Sequence, residues 1–158
     1  MYDYESDLRN PRKVADGAEG TVLAPIFHKD VLWTANIASV IIVFTSLLNG
    51  QLWNTITTVA LVALGWQYSS PPLRLKERPI MDSISNGLII FLAYCVGFTF
   101  TGKSPAQTPG SGRMLALVTT GIHALGAIVD IEADTAAGQT TIATFLGKRP
   151  TAVFCLVC

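Results

Sequence analysis

The chain is poor in charge. Lys, Arg, Asp and Glu make up 14% of its 158 residues, where a soluble domain carries about a quarter. Its 11 basic and 11 acidic side chains cancel, so there is no net positive field to attract nucleic acid, and none is expected as a partner. Half of the residues are hydrophobic. That excludes a disordered chain, which needs low hydrophobicity and high net charge. Cysteine is scarce, and Cys95, Cys155 and Cys158 cannot all pair within one chain, which argues against a disulfide-stapled secreted domain. Cys155-x-x-Cys158 lies in an apolar stretch with no second pair, so it reads as packing or lipid contact rather than a metal or redox motif. No apolar segment follows a basic start at the N-terminus, MYDYESDLRNPRK, so no cleavable signal pattern is present.

Long uncharged tracts are what the sequence does have. Residues 31–73, 83–102 and 114–129 contain no Lys, Arg, Asp or Glu. A hydrocarbon core of about 30 Å needs about 20 helical residues. The first tract is too long for one crossing, and a polar break, Asn49-Gly50-Gln51, divides it. The expected spans are 31–48, 52–68, 85–101 and 114–129, with the start of a fifth at 151–158. A soluble helical core would carry polar stripes at helical spacing, and IASVIIVFTSLL and GLIIFLAYCVGFTF have no charged stripe. The expected fold is therefore all-α, a polytopic helix bundle in the lipid bilayer.

Four crossings divide the remaining residues between two faces. Arg9, Arg12, Lys13, Lys29, Arg74, Lys76, Arg78, Lys148 and Arg149 fall on one, against Lys103 and Arg113 on the other. The positive-inside bias makes the first face cytoplasmic. All 11 acidic residues fall on that same face, which orientation does not require and which points to a charged working surface.

Two acidic pairs stand out there. Asp3 and Asp7 are four residues apart, as are Asp130 and Asp134. On a helix that spacing puts both carboxylates on one face, where they suit a hard divalent cation; Mg2+ typically takes one or two carboxylates, waters and phosphate oxygens. One such pair is equally consistent with a solvated acidic turn, and two on one face favour metal. His123, seven residues before Asp130, shares the helix face with both aspartates, either as a functional group or as a histidine satisfied by a neighbouring helix. The segment Tyr68-Ser69-Ser70-Pro71-Pro72-Leu73-Arg74-Leu75-Lys76-Glu77-Arg78 ends the second span at its prolines. If extended, it would aim Arg74, Lys76 and Arg78 one way. Those cations suit a diphosphate whose opposite side is neutralised by metal; the alternative is a loop that only fixes topology.

Three segments together resemble the UbiA-type membrane prenyltransferases. DYESDLRNPRK (3–13) is similar to the second half of that family's first aspartate motif, N-D-x-x-D-x-x-x-D. YSSPPLRLKERPIMDSISNG (68–87) resembles its tyrosine and basic loop, in the Pro-Pro form of the chlorophyll-synthase and carotenoid-elongase branches. HALGAIVDIEADTAAGQTTIATFLGKR (123–149) resembles the second aspartate motif with its following Gly, Thr and Leu-Gly-Lys-Arg. The resemblance implies a nine-helix bundle around a central cavity, of which this chain corresponds to helices three to six and the start of the seventh. The family's Asn and first Asp would precede Met1, so a fragment or an incorrectly delimited gene is expected, the alternative being a half-protein that works with a partner chain.

The resemblance also implies a role for each motif. Asp3, Asp7, Asp130 and Asp134 would hold Mg2+. Arg74, Lys76 and Arg78 would bind the diphosphate of an allylic polyprenyl donor. Tyr68 would act on the reacting carbon, either by stabilising the cation or by orienting the donor, with Arg74 and Lys76 assisting departure of the leaving group. The acceptor would be lipophilic: a tetrapyrrole, a carotenoid, a quinone precursor or another aromatic, with the Pro-Pro loop pointing to the first two and to a long donor. A transporter or assembly subunit is the alternative, although charges within the spans, which transport would favour, are missing. A phospholipid-synthesis phosphotransferase would need a D-G-x-x-A-R string, which is also missing.

Overall fold

The computed structural model describes residues 2–14 and 22–158, and every element among them is helical. Two four-residue turns, α1 (Tyr4–Asp7) and α2 (Pro11–Val14), precede four long helices, α3 (His28–Leu48), α4 (Leu52–Ser69), α5 (Met81–Thr99) and α6 (Gly110–Ala137). The short α7 (Ile142–Leu146) and α8 (Lys148–Val157) follow. The four long helices run in alternating directions, so the ends of α4 and α6 and the start of α5 share one pole with α1 and α7. Asp16 and Glu19, counted above among the acidic residues of that face, lie outside the described residues.

The burial pattern is that of a membrane protein. Ile37, Val40, Ile41, Phe44, Leu47 and Leu48 of α3 are exposed, as are Leu117, Ile122, Leu125 and Val129 of α6. The interior is instead small and polar: Ala124, Ala127, Ser83, Ser85, Thr57, Thr58, Thr99 and Asn54 are buried. Lipid tails are as apolar as leucine, so helices in a bilayer associate through small residues and interhelical hydrogen bonds. In water, such a continuous apolar exterior would aggregate. Residues 25–48, 81–99 and 110–137 are helical stretches long and apolar enough to cross a membrane. The chain is an integral membrane protein.

The second expected span, 52–68, forms α4 but is not among these three. Its 18 residues include Asn54, Thr55, Thr57, Thr58 and Gln67, which lower its apolarity. The buried ones among these face inward. Asn54 donates to the Val96 carbonyl at 2.8 Å and accepts from Ser46 Oγ at 2.9 Å, and Thr57 and Thr99 hydroxyls meet at 3.1 Å. This network joins α3, α4 and α5 at the pole opposite the motifs. The ends of the other spans also differ from expectation: α5 begins at Met81 rather than 85 and α6 runs to Ala137 rather than 129. Charged residues mark where lipid contact ends, whereas backbone hydrogen bonding carries the helix on into the polar zone.

Helices α5 and α6 approach each other closely at Gly87. A Cβ on Gly87 would overlap Thr120 Oγ1 and lie 2.6 Å from the Ala116 carbonyl oxygen. Only hydrogen fits there, and this crossing sets how closely the motif-bearing ends of the two helices meet.

Candidate active site at the polar end of the bundle

Helix α6 supplies one wall. His123, Gly126, Ala127, Asp130 and Asp134 line a cavity of about 310 Å³, as a 3.6-residue period requires of residues three, four and seven apart. The small Gly126 and Ala127 leave the space that larger side chains would fill. Asp134 is buried and Asp130 half-buried. The helix ends at Gly138, whose φ of 71° is the left-handed geometry that favours glycine. Gln139 N–H then closes back on the Asp134 carbonyl at 2.8 Å.

That turn also fastens the first motif. Gln139 Nε2 donates to Ser6 Oγ at 3.1 Å, and Asp7 N–H donates to the Asp3 carbonyl at 2.7 Å. Asp7 and Lys13 thereby reach the cavity wall that Asp130 and Asp134 occupy. Lys13 Nζ lies 2.6 Å from Asp7 Oδ1. Asp3 stands behind, ion-paired with Lys76 and 3.4 Å from Arg74 Nη2.

The basic loop departs from its expected form. Leu75–Glu77 is a 3-10 turn rather than an extended strand, and Arg74 has φ 44°. The alternation of Arg74, Lys76 and Arg78 therefore does not aim them one way. Lys76 lines the cavity. Arg74 pairs with Asp3 and Glu77 and also donates to the Tyr2 carbonyl, while its Nε is buried without a hydrogen-bond partner. Arg78 is exposed and donates its Nε to the Leu73 carbonyl at 2.7 Å, outside the lining. Glu77 N–H donates to the Arg74 carbonyl at 3.0 Å and Arg78 N–H to the Leu75 carbonyl at 3.1 Å, closing the turn, and the loop's own carbonyl and acid engage two of the three cations.

Tyr68 lines the cavity beside His123. Its hydroxyl lies 3.1 Å from His123 Nε2 and 3.4 Å from Asn86 Nδ2, and Ser83 Oγ lies 3.2 Å from His123 Nδ1. The order Asn86 to Tyr68 to His123 to Ser83 gives each donor an acceptor when His123 carries its proton on Nδ1. Neighbouring helices thus satisfy His123, as one of its two readings expected, and the side chain also faces the cavity. Asp82, fully buried at the start of α5, accepts from Ile142 N–H at 2.9 Å and ties α5 to α7. That places Gln139 and Thr141 on the cavity rim.

Sequence reasoning gave no role to Lys13, Asp82, Ser83, Asn86 or Gln139. Asp82 carried a signal, a lone acid at the edge of the uncharged tract 83–102, with Ser83 next to it and Asn86 one helical turn on. Nothing in the sequence around Lys13 separates it from its neighbour Arg12.

The cavity lining carries the carboxylates of Asp7, Glu77, Asp130 and Asp134 against the ammonium groups of Lys13 and Lys76. Hard oxygen donors with a surplus of negative charge fit Mg2+ in kind. Among the described residues, no three His, Cys, Asp or Glu side chains are gathered as a metal cluster; Asp7 is engaged by Lys13 instead. The cysteines take no part. All three are free, with Cys95 buried and Cys155 packed against the core of α6 and α7.

These features define a membrane-embedded helical protein with an acid- and base-lined cavity at one pole. The model of the UbiA prenyltransferase family matches residues 1–158, and the chain belongs to that family. A lycopene elongase/hydratase of Corynebacterium glutamicum is 36% identical over 157 residues, covering 94% of this chain and 52% of the relative. One from Haloarcula japonica is 38% identical over 160 residues, covering 100% and 51%. The C(50) beta-cyclic carotenoids biosynthesis protein LbtBC of Dietzia sp. is 34% identical over 166 residues, covering 100% and 36%. The chain spans about half the length of the first two relatives and less of the third. No solved structure matches.

Proposed function

We propose that the cavity is the diphosphate end of an integral-membrane prenyltransferase site. The reaction moves a prenyl group from an allylic polyprenyl diphosphate to a lipophilic acceptor and releases diphosphate. The allylic C–O bond breaks, a bond from the acceptor to the prenyl carbon forms, and the acceptor loses a proton. The observation that carries this reading is the convergence of Asp7, Asp130, Asp134, Lys76 and Tyr68 on one cavity from three distant segments. The names of the relatives favour a carotenoid among acceptors.

Asp7, Asp130 and Asp134 would hold Mg2+ through carboxylate oxygens, with Asp3 behind them. Bound there, Mg2+ supplies Lewis-acid stabilisation of the departing diphosphate. Lys76 offers its ammonium to the same anionic oxygens, and Arg74, anchored by Asp3 and Glu77, adds positive charge behind it. Charge stabilisation of this kind is usually the largest catalytic contribution. Arg78 would join only after leaving the Leu73 carbonyl. Tyr68, its hydroxyl held between Asn86 and His123, would offer its electron-rich ring to the allylic cation. The nine cations at this pole orient it to the cytoplasm, with α4 crossing alongside the three apolar helices.

The test is Mg2+-dependent binding of inorganic pyrophosphate to the chain in detergent micelles, measured by calorimetry. Asp130→Ala is expected to abolish the Mg2+-dependent component. Binding that is unchanged in this variant would refute the assignment.

A further inference from the structure

Resting on that reading of the cavity, we propose that Lys13 is an additional diphosphate-binding residue with two alternative partners: it holds Asp7 in the metal-free site and passes to the diphosphate when Mg2+ takes Asp7. Lys13 Nζ and Asp7 Oδ1 are 2.6 Å apart, and both side chains line the cavity. One carboxylate oxygen cannot tightly bind an ammonium and a divalent cation together, because the two cations repel at that distance. Metal entry therefore releases Lys13 within reach of the cavity. The released ammonium is a compact charge with three donors on a flexible four-carbon stem, and its side chain is 43% exposed, so little packing resists the swing. The departure of Lys13 leaves the metal site more negative, and the arriving diphosphate offers Lys13 a new anion. Lys76 and Asp3 repeat the arrangement at the same pole.

The exchange has a thermodynamic signature. Metal alone must displace Lys13 and gains nothing for it, whereas metal and diphosphate together re-pair every charge. Each ligand should therefore strengthen the other, and equally in both directions. Removing the ammonium should change the two affinities in opposite senses.

The experiment uses the chain in detergent micelles, with Mn2+ as the metal probe, read by electron paramagnetic resonance, and inorganic pyrophosphate as the anion. Lys13→Met is expected to tighten Mn2+ alone by about two- to fivefold, the equivalent of a partly exposed ion pair. The same change should weaken pyrophosphate in the presence of metal by about tenfold or more, as for loss of a charged hydrogen bond. Lys13→Arg should keep both affinities near wild type. A Lys13→Met chain with unchanged Mn2+ affinity, or one in which both ligands weaken, overturns the exchange. Helicity by circular dichroism and the thermal midpoint show whether a double loss reflects unfolding; if so, Lys13→Gln repeats the measurement. If the wild-type chain binds neither ligand, the reading of the cavity falls and the exchange with it, an outcome that the wild-type titration alone reveals.

Discussion

Replacing Gly87 with alanine tests the packing that brings the motif-bearing helices together. The added Cβ would lie 2.6 Å from the Ala116 carbonyl oxygen and overlap the Thr120 hydroxyl. The hydroxyl can rotate or be removed, but the carbonyl belongs to the α6 backbone and cannot. Carbon and oxygen need about 3.3 Å, so α5 and α6 must part by several tenths of an ångström along that crossing. Overpacking of this kind costs about 1–3 kcal/mol, or roughly a 5- to 150-fold shift in the folding equilibrium. The separation would also stretch the contacts of His123 with Ser83, so Mg2+-dependent pyrophosphate affinity should fall along with stability. The assay is denaturant unfolding of the chain in micelles, with Gly97→Ala as the control. No atom lies within 4 Å of a Cβ at Gly97, and Gly97→Ala should be neutral or stabilising by up to about 1 kcal/mol. Adding Thr120→Ala to Gly87→Ala should recover only part of the loss. A Gly87→Ala chain within about 0.5 kcal/mol of wild type, less than this mechanism allows, would refute the reasoning.

Three further outcomes are expected. Asn54→Ala, which loses the Val96 and Ser46 hydrogen bonds, should lower stability in micelles by about 0.6–1.7 kcal/mol, the range for such bonds between membrane helices; an unchanged unfolding midpoint would count against the buried network. Asp82→Ala, which leaves Ile142 N–H unpaired, should destabilise by about 1–3 kcal/mol, and Asp82→Asn, which keeps an acceptor oxygen, by less; equal losses would contradict this account of the carboxylate. In a chain whose three cysteines are replaced by serine, Ala106→Cys and Thr140→Cys should label with a membrane-impermeant maleimide from opposite sides, because the exposed Ala106 and Thr140 lie at opposite poles; labelling from one side would break the four-crossing arrangement.

Much of the fold was legible because bilayer physics writes it in one-letter terms. The charge-free tracts located α3, α5 and α6, and Asn49-Gly50-Gln51 marked the turn between α3 and α4. α4 was read from its length and lack of charge, but its buried Asn54, Thr57 and Thr58 make it less apolar than a lipid-facing helix. Sequence alone cannot tell a polar side chain facing lipid from one facing a neighbour. For the site, helical spacings of four, seven and eleven put Asp130, Asp134 and His123 on one face, and all three line the cavity because one helix carries them. The basic loop differs from its reading, because alternation has meaning only in an extended backbone; in the 3-10 turn Arg74 meets the local acid Glu77, and Lys76 meets Asp3 of the distant first motif. Lys13 and Asn86 reach Asp7 and Tyr68 through turns and helix packing that no local pattern encodes.

The central claim is that acids from two distant motifs serve one ligand. A double-mutant cycle with Asp7→Asn and Asp134→Asn, read as Mg2+-dependent pyrophosphate affinity of the chain in micelles, tests it most directly. Residues sharing a ligand couple by about 0.5–3 kcal/mol, whereas independent sites add. Strong non-additivity, with the double variant little worse than the poorer single one, is the predicted result. Losses that simply add, or pyrophosphate binding indifferent to Mg2+, would contradict the account.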